Sequence, residues 1–165
     1  MRKAQDKAEA IAHTIDEQPA AKILTTDAAP LAKFMLQKVT AIIDEESNIA
    51  STDERKSLLI GFADTRGSLA MAVGAIRAYL LTADLTFKKE FEQLWATNQK
   101  KIDALSKRRA EMTKDQQSAF DALVDARAKF APLPQKMFEI RASDRWNMAQ
   151  WFLTNEAARR ANKLL

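Results

Sequence analysis

Leu59, Phe62, Arg66, Leu69, Val73, Ile76 and Leu80 recur at alternating steps of three and four residues. That spacing belongs to a helix burying one narrow stripe against near-parallel helical neighbours. The pattern returns at Phe87, Phe91, Leu94, Asn98, Ile102 and Leu105. Only 3 Gly and 4 Pro punctuate the 165 residues, too few turn signals for a sandwich or a barrel. The sequence therefore reads as all-α, and its length suits one domain, residues 1–165, around one core.

Capping signals divide the chain into four helical segments. The first covers residues 2–50, interrupted near Pro19 and again near Pro30, where Asp27 is placed to cap a restart. Ser51 with Glu54 forms a capping box that opens a second helix running to Thr82. Asp84 caps a third, and Thr113 with Gln116 boxes a fourth that runs to Leu165, disturbed at Pro132 and Pro134. Short connections near residues 51, 83 and 112 make the neighbours antiparallel. The expected fold is an up-down-up-down antiparallel four-helix bundle with long first and fourth helices. Neither terminal segment carries a stop signal at its outer end, and both ends fall at one end of such a bundle. That arrangement suits a domain cut from between two transmembrane helices, with ordinary terminal fraying as the alternative.

The chemistry is constrained mostly by what is missing. There is no Cys, and His13 is the only histidine, so thiolate sites, several-histidine zinc sites and Ser-His-Asp triads are excluded. Glu9 and His13 form a helical pair of minimal metal-binding capacity. No catalysis, metal or cofactor is expected. Lys and Arg exceed Asp and Glu by a net +4 with pI 9.4, but the charges are interleaved. Lys107-Arg108-Arg109 is the one tight basic run and has no aromatic platform beside it, so nucleic acid is not an expected partner. The longest uncharged apolar stretch, Gly67 to Ile76, is too short to span a bilayer, and Met1-Arg2-Lys3 opens no signal peptide. Trp95, Trp146 and Trp151 read as core aromatics, and Gly61, Gly67 and Gly74 as points of close helix approach.

Polar residues interrupting the apolar stripes are the better signal. Arg66 and Arg127 each lie 14 residues into their helices, Asn98 lies 14 residues before the second distal turn, and Lys38 lies 12 before the first. At ~1.5 Å per residue these positions share one level about 20 Å below the distal end. Lys38 falls with Leu31, Met35 and Ile42, and Arg127 with Phe120, Leu123 and Phe130. Three cations and an amide in an apolar stripe need an anion, a flanking carboxylate such as Asp64 or Asp125, or water. A carboxylate ligand answers that need, since arginine grips it with two parallel hydrogen bonds. A deeper cluster of Arg77, Thr25, Thr26 and Arg141 lies just below the level of Pro30 and Pro132.

The stretch Asp64 to Phe87, with "IRAYLLTAD" at its heart and "FKKEFEQLW" in the next helix, resembles the four-helix-bundle ligand-binding domains of bacterial methyl-accepting chemotaxis proteins. The resemblance implies a periplasmic sensor domain of an inner-membrane receptor, homodimeric, binding a small molecule and signalling along its terminal helices. It carries over no ligand-contact motif. A soluble bundle that binds lipid surfaces or protein helices is the competing reading.

Overall fold

A computed structural model of the protein describes residues 2–156. It is all-helical, with no strand among the described residues. The helices are α1 (Arg2–Ile11), α2 (Pro19–Ile23), α3 (Ala29–Glu46), α4 (Asp53–Thr82), α5 (Leu85–Lys107), α6 (Lys114–Phe130), α7 (Leu133–Ala142) and α8 (Met148–Trp151). A 3₁₀ turn, Ile15–Glu17, separates α1 from α2, and wide π-helical turns occupy Leu24–Ala28 and Phe152–Glu156. The helices form a bundle: α4 packs along α5 and α3, α3 along α6, α2 against α7, and α1 against α8 and residues 152–156.

Most of the expected punctuation is present. Asp84 Oδ1 accepts the Thr86 amide at 2.8 Å, and Ala83 before it takes the left-handed conformation that ends α4. Thr113 and Gln116 make the reciprocal capping box of α6. At α4 the cap is Thr52, whose hydroxyl accepts the Arg55 amide at 3.2 Å, one residue later than the Ser51 box. Asp27 caps nothing: it lies inside the π-helical turn, and the backbone passes through Ala28 into α3 in helical conformation. Pro19 sits in the first turn of α2, where the missing N–H costs no bond, whereas Pro30 follows the π-helical turn without a break and removes one donor from a continuous helix. The fourth segment breaks between Ser143 and Asn147, because Asn147 Oδ1 accepts the Gln150 amide at 2.9 Å and starts α8 afresh. Residues 157–165 of the predicted final helix lie outside the described residues.

The inward stripe of α4 keeps Phe62, Leu69, Val73 and Ile76 of the expected one and replaces Leu59, Arg66 and Leu80 with the residue before each. Leu58, Phe62, Thr65, Leu69, Ala72, Ile76 and Tyr79 are buried, whereas Leu59 and Leu80 are half-buried and Arg66 is exposed. Both stripes keep the three-and-four step, and positions 65 and 66 decide between them. The Thr65 hydroxyl satisfies itself on the Gly61 carbonyl at 2.8 Å, while a guanidinium in the same place would need partners the stripe lacks. Position 38 follows the same rule: Val39 faces inward, and Lys38 stays at the edge with Nζ 5.0 Å from the Phe34 ring. On α5 Phe91, Asn98, Ile102 and Leu105 of the expected stripe are buried while Phe87 and Leu94 are half-buried, and on α6 Phe120, Leu123, Arg127 and Phe130 are buried as expected.

The main core extends from Ala20 to Phe138, with Trp95 packed against it as expected, while the half-buried Trp146 and Trp151 are not core aromatics and Ala8 and Ala149, though buried, stand outside it. Of the three glycines only Gly61 lets α4 and α5 approach, since a Cβ there would stand 3.0 Å from Leu105 Cδ2, while a Cβ on Gly67 or Gly74 would meet open space. By contrast the space between α5 and α6 holds bulk: Trp95 stacks on Phe91 at 5.8 Å and meets Phe130 at 5.4 Å. α4 alone among the described helices is long and apolar enough to cross a membrane, with mean hydropathy 1.2 and 44% of that stretch packed inside the bundle.

Candidate ligand site

Of the four residues expected at one level, the fold brings together Asn98 and Arg127. Arg127, on α6, is 8% exposed. Its Nε donates to Asn98 Oδ1 at 2.9 Å, Nη1 to Gln99 Oε1, and Nη2 to the Trp95 carbonyl at 3.4 Å. The guanidinium also lies 3.9 Å from the centre of the Trp95 ring. Asn98 completes the layer by donating to the Thr65 carbonyl and the Ser68 hydroxyl, each at 3.0 Å. All of these partners are neutral. Burial pulls the Arg127 pKa below the usual arginine value, opposed by the nearby Asp103 carboxylate. The charge is held by oriented dipoles and a ring face, and no buried side-chain N or O among the described residues lacks a partner.

The other expected members stand elsewhere. Arg66 points out from α4 because Thr65 takes the inward place. Asp64 pairs with Lys101 at 2.6 Å and is no partner for either arginine. In the deeper cluster, Arg141 Nε donates to the Leu80 carbonyl at 2.7 Å and its guanidinium stacks 4.6 Å from the Trp146 ring. Thr25 and Thr26 are exposed and bond back to the Ala21 and Lys22 carbonyls. His13 lies past the end of α1 with φ 64°, so it does not share a helical face with Glu9. No cluster of metal-ligating side chains occurs among the described residues.

Arg77, the remaining expected residue, lines a groove of about 720 Å³ between α3 and α4. Its floor is apolar, formed by Ala29, Ala32, Leu36, Ala70 and Val73. Lys33 and Arg77 stand on its walls, with Gln37, Thr40 and Asp44 further along α3. Among the described residues Lys33 and Arg77 make no ion pair or hydrogen bond to another side chain. The groove follows from sequence order. Residues 29, 32, 33, 36, 37 and 40 fall on one helical stripe of α3, and small residues there leave a trough.

A second polar cluster was not foreseen. Glu46, 8% exposed, and Gln116, fully buried, meet Arg55 at the end of the bundle holding the 47–52 and 108–113 connections. Arg55 grips Glu46 with Nε at 2.6 Å and with Nη2, while Nη2 also reaches Gln116 Oε1 at 3.0 Å and Nη1 the Glu111 carbonyl at 2.7 Å. Gln116 Nε2 donates to Glu46 Oε2 at 2.8 Å. The one legible signal was the capping box containing Gln116. The basic run is fastened at the same end. Arg108 binds Glu111, Ser57 and the Glu54 carbonyl, and Arg109 binds Asp121 through two nitrogens at 2.9 and 2.6 Å. These pairs raise both arginine pKa values and lower those of Glu111 and Asp121, chiefly through the side-chain hydrogen bonds.

The chain matches no protein-family model, no curated protein and no solved structure.

Proposed function

We propose that this chain is a small-molecule sensor domain without catalytic activity, an up-down-up-down four-helix bundle whose outer helices continue beyond the inner pair. In this reading it is the periplasmic part of an inner-membrane receptor, reached by flanking membrane helices, and it works as a homodimer. The ligand is a compact organic anion. The α3–α4 groove is the observation that carries the reading: an apolar floor with Lys33 and Arg77 unpaired on its walls. A carboxylate bearing a short apolar body satisfies both parts, the head on the two cations and the body on Ala32, Leu36 and Val73. Ligand favouring one arrangement of α3 relative to α4 biases the outer helices by its affinity difference between states. The Arg127 layer serves as structure here, since its donors already have acceptors.

A thermal-shift screen of C2–C8 carboxylates tests this, followed by calorimetry on any hit. At about 100 times Kd a bound ligand adds roughly 2.7 kcal/mol, a rise of about 5–10 °C for a domain of this size. Arg77→Ala and Lys33→Ala should each weaken binding about tenfold or more, while Arg66→Ala leaves it unchanged. No hit among the carboxylates, or a hit indifferent to Arg77→Ala, overturns the assignment. Monomer alone in sedimentation at millimolar protein, with and without the hit, removes the homodimer.

A further inference from the structure

Both outer segments break at one level. On the N-terminal side the helix stops at Ile11 and resumes at Pro19, and His13 within the gap adopts φ 64°. On the C-terminal side it stops at Ala142 and resumes at Met148, with Ser143 and Asn147 extended. The two gaps touch: Asn147 Nδ2 donates to Glu17 Oε1 at 3.0 Å, across 130 residues of sequence. The other oxygen, Oε2, accepts the His13 amide at 2.8 Å. One carboxylate thus closes the N-terminal gap on itself and ties it to the C-terminal gap.

What lies beyond the gaps is a separate packing unit. α1 packs against α8 and residues 152–156, with Lys7 over the Phe152 ring at 5.3 Å, Arg145 over Trp151 at 5.1 Å and Trp151 against Phe152 at 5.2 Å. Ala8 and Ala149 are buried within this unit and are not part of the main core, which ends at Ala20 and Phe138. Two bodies with separate interiors, joined by two short non-helical segments side by side, have the form of a hinge.

We infer that α1 and α8 with residues 152–156 move as one lever on a double hinge at residues 12–18 and 143–147, latched by the Glu17 carboxylate. The inference holds whatever the groove binds. Two strands crossing at one level leave bending as the soft motion, since neither helix shifts along its axis without dragging the other. Glu17 is placed to hold the lever because losing its side chain frees the His13 amide and the Asn147 amide together.

The absence of cysteine makes the test clean. Spin labels are placed at the exposed pairs Glu9→Cys with Lys100→Cys and Gln150→Cys with Lys100→Cys, and distances are measured by pulsed EPR. Lys100→Cys with Asp115→Cys, both on the bundle, is the control. Glu17→Ala should shift or broaden both lever distances by about a helical turn, ~5 Å, and leave the control unchanged. Asn147→Asp keeps the α8 cap but turns a donor into a like charge, so it should act in the same direction. Movement of the Glu9 label without the Gln150 label would show fraying of α1 alone and overturn the lever. Narrow distributions unmoved by either variant would overturn the hinge.

Discussion

Replacing Arg127 by Met isolates what a buried arginine without a carboxylate contributes. The substitution leaves Asn98 Oδ1 without its donor in a residue 1% exposed, which costs about 1–3 kcal/mol. It removes a cation stacked 3.9 Å from Trp95, worth up to about 2 kcal/mol when desolvated. Gln99 is exposed and recovers water, so its lost bond counts for little. Against these losses, the fold no longer carries the desolvation of the guanidinium, several kcal/mol before compensation. The net expectation is a loss of about 1–3 kcal/mol, from the stranded amide. Adding Asn98→Leu removes that amide, so the double variant should regain most of the loss. Urea unfolding at constant m-value measures both, and the cycle should show a coupling of at least about 1 kcal/mol. If the double variant loses the sum of the two single losses, Arg127 and Asn98 do not act as a unit and the layer is not what this geometry describes.

Other expectations follow from single positions. Ala83 is exposed with φ 59°, so Ala83→Gly should stabilise by about 0.5–1 kcal/mol in chemical denaturation, despite adding a glycine. Glu46→Ala strands Arg55 at a nearly buried site and should cost about 3 kcal/mol, read as a lower urea midpoint. The pKa values of Glu17, Glu111 and Asp121 are lowered in the fold. Their contribution is therefore complete above the ordinary carboxylate range near ~4 and lost as pH falls through the lower folded values. Tm should be flat from pH 7 to about 5.5 and fall on further acidification; a rise would contradict the sign. Arg66→Met should leave stability within about 0.5 kcal/mol, since the side chain is outside the core.

The fold was legible wherever one residue's chemistry settled the matter. Asp84, Thr113 and Gln116 announced their helix ends because a side-chain acceptor near a free amide has few other uses. The stripe on α5 was legible because Phe91, Ile102 and Leu105 have no equally apolar neighbour one residue away. On α4 the reverse holds: Leu58 beside Leu59, Ala72 beside Val73, and Tyr79 beside Leu80 make two overlapping stripes, sharing Phe62, Leu69 and Ile76, equally apolar. Counting residues from the turns placed Arg66 at the correct height and on the wrong face. Asn98 and Arg127 were found together because height and face agreed for both. The Glu46–Arg55–Gln116 cluster was hidden, since its members sit at three helix ends in unremarkable polar surroundings, where pairing depends on how the ends converge. The gap before α8 was missed, since no glycine or proline marks it and the cap at Asn147 lies inside what reads as one continuous helix.

Surface turns ordinarily absorb insertions and deletions more readily than the helices they join. The Arg55 guanidinium reverses that expectation at one end of this bundle. Its planar fork holds Glu46 at the close of α3, Gln116 at the start of α6, and the Glu111 carbonyl in the connection between α5 and α6. A residue added to 47–52 or 108–113 would move an acceptor off the plane, and lysine, with one nitrogen, has no geometry to follow it. Length variation is therefore confined to the opposite turn, where Leu81, Ala83, Asp84 and Leu85 are all exposed and Asp84, among the described residues, bonds only to its near neighbours Thr82, Thr86 and Phe87. That turn is the place to insert a reporter tag or to open a circular permutant.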